Sequence, residues 1–135
     1  MFDFPSPEWP QALKDKINND EKYNHAARNW EGDLRFILEP SGSQAETIWI
    51  YIALWHGKCG DAFYEAPGND ERKPAFIFKA PYVNFTRVLK GELPPMQALM
   101  TRKLGVQGNL AVLMRNVPTV IEFARCAMEV TRKVL

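Results

Sequence analysis

The chain has 135 residues, with 17 Lys or Arg against 16 Asp or Glu, so its formal net charge is +1. Hydrophobic residues make up 46% and charged residues 24%, a balance typical of one soluble globular domain and not of a disordered chain. Because there is no excess of positive charge, we expect no nucleic-acid partner. The longest apolar stretch, Thr47 to Trp55, is too short to cross a bilayer as a helix, so we expect no integral membrane segment.

Two short helices are predicted before the first strand. Ser6 is suited to cap the first helix, and an apolar stripe at helical spacing follows it, formed by Trp9, Leu13 and Ile17. Asn and Asp residues then interrupt the stripe, and a second short helix is predicted around Tyr23.

Four strands are predicted in the middle of the chain. Apolar and charged residues alternate over residues 34–39, with Ile37 as the single exception, as in a strand with one solvated face. The next run, Thr47 to Trp55, is apolar on both faces, which is typical of a central strand. Two further strands are predicted around Cys59 to Glu65 and from Phe76 to Lys79.

After Pro81 the apolar spacing lengthens to that of helices. Helices are predicted for Tyr82–Leu89, Pro94–Met100, Leu110–Met114 and Pro118–Leu135, with a fifth strand over Leu104–Val106 between the second and third of them. This order of elements predicts an α+β fold, with a five-stranded, mainly antiparallel sheet and helices packed on one face.

Signals for catalysis or metal binding are few. His56 and Cys59 could form half of a metal site or a Cys/His pair, but a structural zinc needs about four ligands and no second cluster exists. The alternative is a histidine in a turn and a small buried cysteine. We therefore expect no catalytic residue, no metal and no cofactor. Only two cysteines are present, Cys59 and Cys126, and no signal peptide is visible, so we expect a cytoplasmic location.

Methionine and phenylalanine are concentrated in the second half of the chain. Methionine is flexible and polarizable, so it suits the lining of an adaptable apolar site. The same residues also fill ordinary hydrophobic cores, and composition alone leaves both interpretations open.

Four segments in order carry a family resemblance. They are GDLRFILE at residues 32–39, TIWIYIALWHG at 47–57, FTRVLKG at 85–91 and, most specific, ALMTRKLGVQGNLAVLM at 98–114. The last is similar to a family signature in which alanine is followed by lysine-leucine and then by glycine-asparagine. Within it the match is carried by Lys103, Leu104, Val106, Gly108, Asn109 and Met114. From Gly32 to about Met114 the chain resembles the sterol carrier protein type 2 family.

The resemblance implies a lipid-carrier-like domain over residues 1–135, with an apolar tunnel between the sheet and the helices. Such tunnels bind fatty acids, fatty acyl-CoA, sterols or similar lipids without chemistry. The chain has a long C-terminal helix and no Ser-Lys-Leu peroxisomal targeting signal at its end. In both respects it resembles stand-alone prokaryotic members of the family. The residues predicted to contact the ligand are Phe36, Ile52, Phe76, Phe78, Phe85, Leu89, Met96, Met100, Leu104, Leu110, Leu113, Met114 and Phe123.

Two alternatives to a carrier stay open. The same fold could be packed solid and serve as an oligomeric interaction module, or an enzyme could use His56 or Cys59 in the apolar cleft. Bound lipid in the purified protein would favour the carrier over the module.

The other face of the second strand carries an aromatic patch, formed by Trp49, Tyr51 and Trp55. A contiguous aromatic patch exposed to water is unusual for a monomer, and Trp and Tyr are frequent interface anchors. The N-terminal helix, with Trp9 and Leu13, or a second chain could cover it. We expect a homodimer, because the first helix of the family lies on the helical side of the sheet.

Overall fold

Seven strands and six helices make up the structure, a computed structural model that describes all 135 residues. In chain order they are β1 (Phe2–Phe4), α1 (Trp9–Asn18), α2 (Glu21–Ala26), β2 (Leu34–Glu39), β3 (Ile48–Trp55), β4 (Lys58–Glu65), β5 (Phe76–Pro81), α3 (Tyr82–Leu89), α4 (Pro95–Met100), β6 (Gly105–Gln107), α5 (Leu110–Arg115), α6 (Val117–Val130) and β7 (Thr131–Val134).

The main sheet has the strand order β4-β3-β2-β5-β6. Three of its four pairings are antiparallel, and β2 with β5 is the parallel one. A parallel pair needs a crossover, and the connection from β2 to β5 contains the hairpin of β3 and β4. The predicted five-stranded, mainly antiparallel α+β fold is confirmed.

One face of the sheet supplies the floor of the core. Strand residues alternate between the two faces, and the apolar set selected by this alternation is buried under the helices. Its members on the three central strands are Leu34, Phe36, Leu38, Ile50, Ile52, Leu54, Phe76, Phe78 and Ala80.

Helix α6 is the centre of the helical layer, since it contacts each of the other five helices. Its buried face includes two small residues, Ala124 and Ala127. Helix α1 packs against β4 and α6, with Trp9, Leu13 and Ile17 buried. None of the six helices combines the length and the apolar character that a bilayer-spanning helix requires.

The structure differs from the prediction at both ends of the chain. Helix α1 begins at Trp9 after Glu8, not at a Ser6 cap. The last helix ends at Val130, because the residues after it form β7, which pairs in parallel with β1. The Leu135 amide also donates to the carbonyl of Phe4 at 2.7 Å. These main-chain bonds between the two termini replace the helical bonds that the apolar pattern predicted.

Candidate ligand-binding cavity

A cavity of about 70 Å³ lies between the inner face of the sheet and the helices. Of the 20 residues that line it, 18 are hydrophobic. The sheet contributes Leu34, Phe36, Ile50, Ile52, Leu54 and Phe78. The segments outside the strands contribute Trp9, Trp30, Phe85, Val88, Leu89, Pro95, Leu99, Leu104, Leu113, Thr119, Val120, Phe123, Ala124 and Ala127.

Aromatic rings form part of the wall. Phe36 and Phe78 are paired across β2 and β5, so their rings stack with centroids 5.1 Å apart. Phe36 also stacks on Phe123 of α6 at 6.0 Å and meets the edge of Phe85 of α3 at 5.4 Å. Strand register therefore brings residues far apart in sequence into one apolar surface.

No polar side-chain atom of the lining is free to bind a ligand. The Thr119 hydroxyl donates to the carbonyl of Ala26 at 3.0 Å. The indole N–H of Trp9 donates to the Thr131 hydroxyl at 2.9 Å, and that of Trp30 donates to the carbonyl of Gly32 at 2.8 Å. Most small-molecule sites add a few polar groups that orient the ligand. This cavity offers apolar contact alone.

The cavity is small for a lipid. Pockets for drug-sized ligands span roughly 300–1,000 Å³, and an engineered apolar cavity of about 150 Å³ takes up benzene. At about 70 Å³, the space holds only part of an acyl chain. A longer ligand enters only if lining side chains move apart.

The lining is least buried on α4 and α6. Sixteen lining residues are buried, and the four half-buried ones are Pro95 and Leu99 of α4 and Val120 and Phe123 of α6. These two helices contact each other, so their separation would enlarge the cavity on this side.

Comparison with known families adds to this geometry. The model of the SCP-2 sterol transfer family matches residues 11–120. The chain belongs to this family. No curated protein matches the sequence.

Solved structures of the SCP-2 type have the same fold. A crystal structure of sterol carrier protein 2 is 30% identical with a TM-score of 0.82, covering 92% of this chain and 96% of that chain. A conserved hypothetical protein of Thermus thermophilus, described as possibly a sterol carrier protein, is also 30% identical, with a TM-score of 0.82 and coverages of 93% and 88%. The sterol carrier protein domain 2 of Helicoverpa armigera is 22% identical, with a TM-score of 0.60 and coverages of 92% and 93%, and supports the fold alone.

Eight of the thirteen residues predicted as ligand contacts line the cavity. They are Phe36, Ile52, Phe78, Phe85, Leu89, Leu104, Leu113 and Phe123. The other five lie outside the lining of the cavity, and their role as ligand contacts stays a prediction. Phe76 is buried against Trp30, with ring centroids 5.3 Å apart. Met96 is half-buried, and Met100, Leu110 and Met114 are exposed.

Four of these five residues lie on two short helices. Helices α4 and α5 have six residues each, fewer than two turns, so the apolar pattern does not identify the inward face. In α4 the cavity is lined by Pro95 and Leu99, and in α5 by Leu113. Met100 and Met114 each follow a lining residue by one position, which rotates them about 100° around the helix.

Sequence reasoning did not identify several lining residues as ligand contacts. Leu34, Ile50 and Leu54 belong to the inward strand set predicted by alternation, and that signal could have found them. Trp9 and Trp30 reach the cavity from the N-terminal part of the chain, and no local pattern indicates this placement.

His56 and Cys59 bond to different partners. His56 Nε2 pairs with Glu31 at the surface, whereas the Cys59 thiol donates to the carbonyl of Asp61 at 3.2 Å. Burial raises the pKa of Cys59 to about 11, so this thiol is protonated at neutral pH and is a poor nucleophile or metal ligand. No group of three or more His, Cys, Asp or Glu side chains suited to a metal ion is present.

The outer face of the sheet is partly covered by the β4–β5 loop, a cover that the sequence did not indicate. Arg35 of β2 is fully buried there, with Nε 2.7 Å from Oε1 of Glu65. Its guanidinium carbon lies 4.7 Å from the ring centre of Trp49. The guanidinium of Arg72, in the loop, lies 4.4 Å from the ring centre of Tyr51. Two of the three aromatic side chains predicted at a dimer interface therefore contact arginines of their own chain.

Proposed function

We propose that the cavity binds the apolar chain of a fatty acid, a fatty acyl-CoA or a sterol-like lipid, and that the protein carries this ligand without chemical reaction. Membership of the SCP-2 sterol transfer family supports lipid binding and transfer in general. The observation that carries the proposal for this chain is the lining, in which 18 of 20 residues are hydrophobic and the polar side-chain atoms are already hydrogen-bonded.

Apolar contact alone supplies enough affinity for such a ligand. Transfer of an acyl chain out of water contributes about 0.8 kcal/mol for each buried methylene group. Part of this free energy is used to displace the side chains that close the small cavity. We therefore propose that affinity rises with chain length and depends little on the headgroup. The ligand contacts proposed are the lining residues, and the exposed Met100, Leu110 and Met114 are not among them.

Displacement of a fluorescent fatty acid tests the proposal. The wild type should bind with a Kd in the micromolar range or below, about −8 kcal/mol. Ala124 lies at the cavity wall, so Ala124→Leu should fill the space and weaken binding at least tenfold while the protein stays folded. Ala111→Leu makes the same change on the exposed surface of α5 and should bind like the wild type.

A wild type that binds no fatty acid, and that carries no lipid when examined by native mass spectrometry, would contradict the carrier. It would leave the solidly packed interaction module as the interpretation of the fold. The absence of an enzymatic activity and the cytoplasmic location both stay predictions.

The homodimer also stays a proposal, and Trp55 is its main support. This side chain is 59% exposed at the end of β3 and stacks on His56 with ring centroids 5.0 Å apart. Light scattering on the wild type should give the mass of two chains. The variant Trp55→Lys should give the mass of one chain. A wild-type mass of one chain at micromolar concentration would refute the dimer.

A further inference from the structure

A groove of about 390 Å³ lies on the surface where β1, α1 and the end of α6 meet. Half of its lining is apolar, and the eight residues are Met1, Phe2, Glu8, Gln11, Ala12, Asp15, Glu129 and Val130. None of them lines the internal cavity. Met1 and Phe2 are 72% and 39% exposed, so the groove offers apolar side chains to a molecule that enters it. We call this surface the acidic groove.

Two carboxylates of the acidic groove have no cationic partner in the chain. Three lining residues carry a carboxylate, namely Glu8, Asp15 and Glu129, and the amino group of Met1 is the only cation on the lining. Glu129 is paired with Lys16 at 2.8 Å. Glu8 and Asp15 are exposed and form no ion pair within the chain. These two side chains are therefore available to a cation from outside.

Glu8, which precedes α1, and Asp15 share one face of this helix. The lining positions 8, 11, 12 and 15 recur at helical spacing, whereas the stripe of Trp9, Leu13 and Ile17 is buried. Seven residues separate the two carboxylates, a distance of about 10 Å along a helix. Asp15 lies in the last turn of α1, where the negative end of the helix dipole disfavours a carboxylate. An external cation therefore explains Asp15 better than the stability of α1 does.

We propose that the acidic groove docks a basic amphipathic helix of another protein, whose Lys or Arg side chains, two turns apart, pair with Glu8 and Asp15. The apolar side chains between these cations enter the groove and contact Phe2, Ala12 and Val130. Recognition of a helix in a groove commonly uses anchors spaced by three, four and seven residues. This docking goes beyond the proposed carrier function and does not depend on it.

Charge complementarity and the spacing along α1 select this partner. A helix laid along α1 has the same rise per residue, so cations two turns apart on it match the two free carboxylates. A second copy of the chain fits less well, because its exposed apolar helix α5 spans fewer than two turns and has one cation, Arg115. The docked partner would lie on α1 and α6, which also line the cavity with residues such as Trp9 and Ala127.

Fluorescence anisotropy with a labelled peptide tests the docking. The probe is an alanine-based helical peptide with two Lys two turns apart and two Leu between them on the same face. It should bind the wild type with a Kd in the micromolar range, and binding should weaken as the salt concentration rises. The same peptide with Glu in place of Lys should bind at least tenfold more weakly. Absence of binding by the Lys peptide at low salt would overturn the proposal, as would equal binding of both peptides.

Glu8→Gln combined with Asp15→Asn tests the two carboxylates. Both side chains are exposed, so the fold should tolerate the change. The double variant should bind the Lys peptide about tenfold more weakly, because two ion pairs at the surface are lost. The matched control, Glu46→Gln with Glu71→Gln, makes the same change in net charge at exposed positions outside the groove and should bind like the wild type. Equal losses in the two double variants would show that net charge alone attracts the peptide, and the proposed surface would be wrong.

Phe2→Ala tests the apolar part of the acidic groove. It should weaken binding of the Lys peptide at least threefold, because the peptide loses an apolar contact. Ile121→Ala is the control, since Ile121 is 46% exposed near the other end of α6 and does not line the groove. It should bind the peptide like the wild type. Unchanged binding by Phe2→Ala would overturn the docking of apolar side chains in the groove.

Two further measurements identify other occupants. The free diamine 1,8-diaminooctane offers two cations and an apolar chain without a helix, and if it binds as tightly as the Lys peptide, the helical partner is wrong. A mass by light scattering that falls from two chains to one in the Glu8→Gln, Asp15→Asn variant would identify a second copy as the occupant and also overturn the proposal. A wild type that binds a fatty acid but not the Lys peptide would overturn the docking and leave the carrier function intact.

Discussion

Arg35 is a fully buried cation on the outer face of the sheet, held by carboxylates of β4 and of the following loop. Its Nε and Nη2 donate to the two oxygens of Glu65 at 2.7 and 2.9 Å, and Nη1 donates to Asp70 at 3.0 Å. A bidentate pair of this kind fixes both partners in one geometry. The bond to Asp70, which lies in the β4–β5 loop, also holds this loop against β2.

We predict that Arg35→Met lowers the free energy of unfolding by about 3 kcal/mol, because Glu65 loses its main partner in a buried position. Arg72 still contacts Glu65 at 3.0 Å, which limits the loss. Urea unfolding measures the change. Lys73→Met breaks an exposed ion pair with Asp70 and should change the free energy of unfolding little, because solvent screens such pairs.

The double variant Arg35→Met with Glu65→Met provides a further check, since replacing both members of a buried pair is often close to neutral. It should recover most of the stability lost in Arg35→Met. A double variant that is no more stable than Arg35→Met would contradict the assignment of the loss to an unpaired Glu65.

Asp20 connects α2 with α6 and is the most strongly paired carboxylate of the helical layer. The Arg125 guanidinium, through a hydrogen bond of 2.5 Å, holds the pKa of Asp20 well below its usual range. The Nζ of Lys16 lies 3.0 Å from Oδ2 of Asp20 and also lowers the pKa of this carboxyl group. Asp20 also caps α2 by accepting from the amide of Tyr23 at 2.9 Å.

Since the folded-state pKa is lowered, the stabilisation from Asp20 is present above the unfolded pKa of about 3.9 and is lost as the pH falls below it. Asp20→Asn retains a capping side chain but removes the charge. It should cost about 2 kcal/mol at neutral pH, and the difference from the wild type should shrink below about pH 4. Urea unfolding over a pH series measures it, and a difference that does not change with pH would contradict the ion-pair explanation.

At the scale of elements, the sequence predicted the five strands of the main sheet. Apolar residues recur with a period of two in β2 and β5, and β3 is a run that is apolar on both faces. It also predicted that helices cover one face. The two terminal strands were missed because β1 and β7 have three and four residues and pair only with each other. A pairing between the two ends of a chain leaves no local signal in either segment.

Strand β1 is anchored by Phe4, which is fully buried. Its ring lies 4.7 Å from that of Trp9, 6.1 Å from that of Tyr82 and 5.5 Å from that of Phe85. Trp9 and Phe85 line the cavity. The terminal strand pair therefore supports one end of the candidate site, although neither strand reaches the cavity.

We predict that Phe4→Ala lowers the free energy of unfolding by about 3–5 kcal/mol, because it leaves a void among aromatic rings. It should also shift the fluorescence of Trp9 and weaken fatty-acid binding. Phe2→Ala is the matched control, since Phe2 lies in the same strand but is partly exposed, and it should cost less than about 1 kcal/mol. Equal losses in thermal or urea unfolding for the two variants would contradict the anchoring role of Phe4.

For the whole molecule, the candidate site combines a rigid wall with a movable one. The sheet wall is fixed by hydrogen bonds between neighbouring strands, and its lining residues are buried. The opposite wall includes α4 and α5, two helices of six residues, and α5 packs chiefly on α6. Few contacts and exposed backbone are the features of segments that open at low free-energy cost. The sequence could predict the rigid wall, because apolar residues alternate along its strands. The size of the cavity depends instead on how these short helices pack.

Expansion of the cavity should therefore take place at α4 and α5. We predict that, without ligand, the amides of Met96–Arg115 exchange with deuterium faster than those of β2 and β3, and that a bound fatty acid slows the exchange of this segment most. Native-state hydrogen exchange with mass spectrometry measures both effects. In Ala124→Leu, whose cavity is filled, the fatty acid should leave the exchange of this segment unchanged. Ligand-induced protection confined to the sheet would contradict the movable wall, because the small cavity would then have to expand on the side that the strands hold fixed.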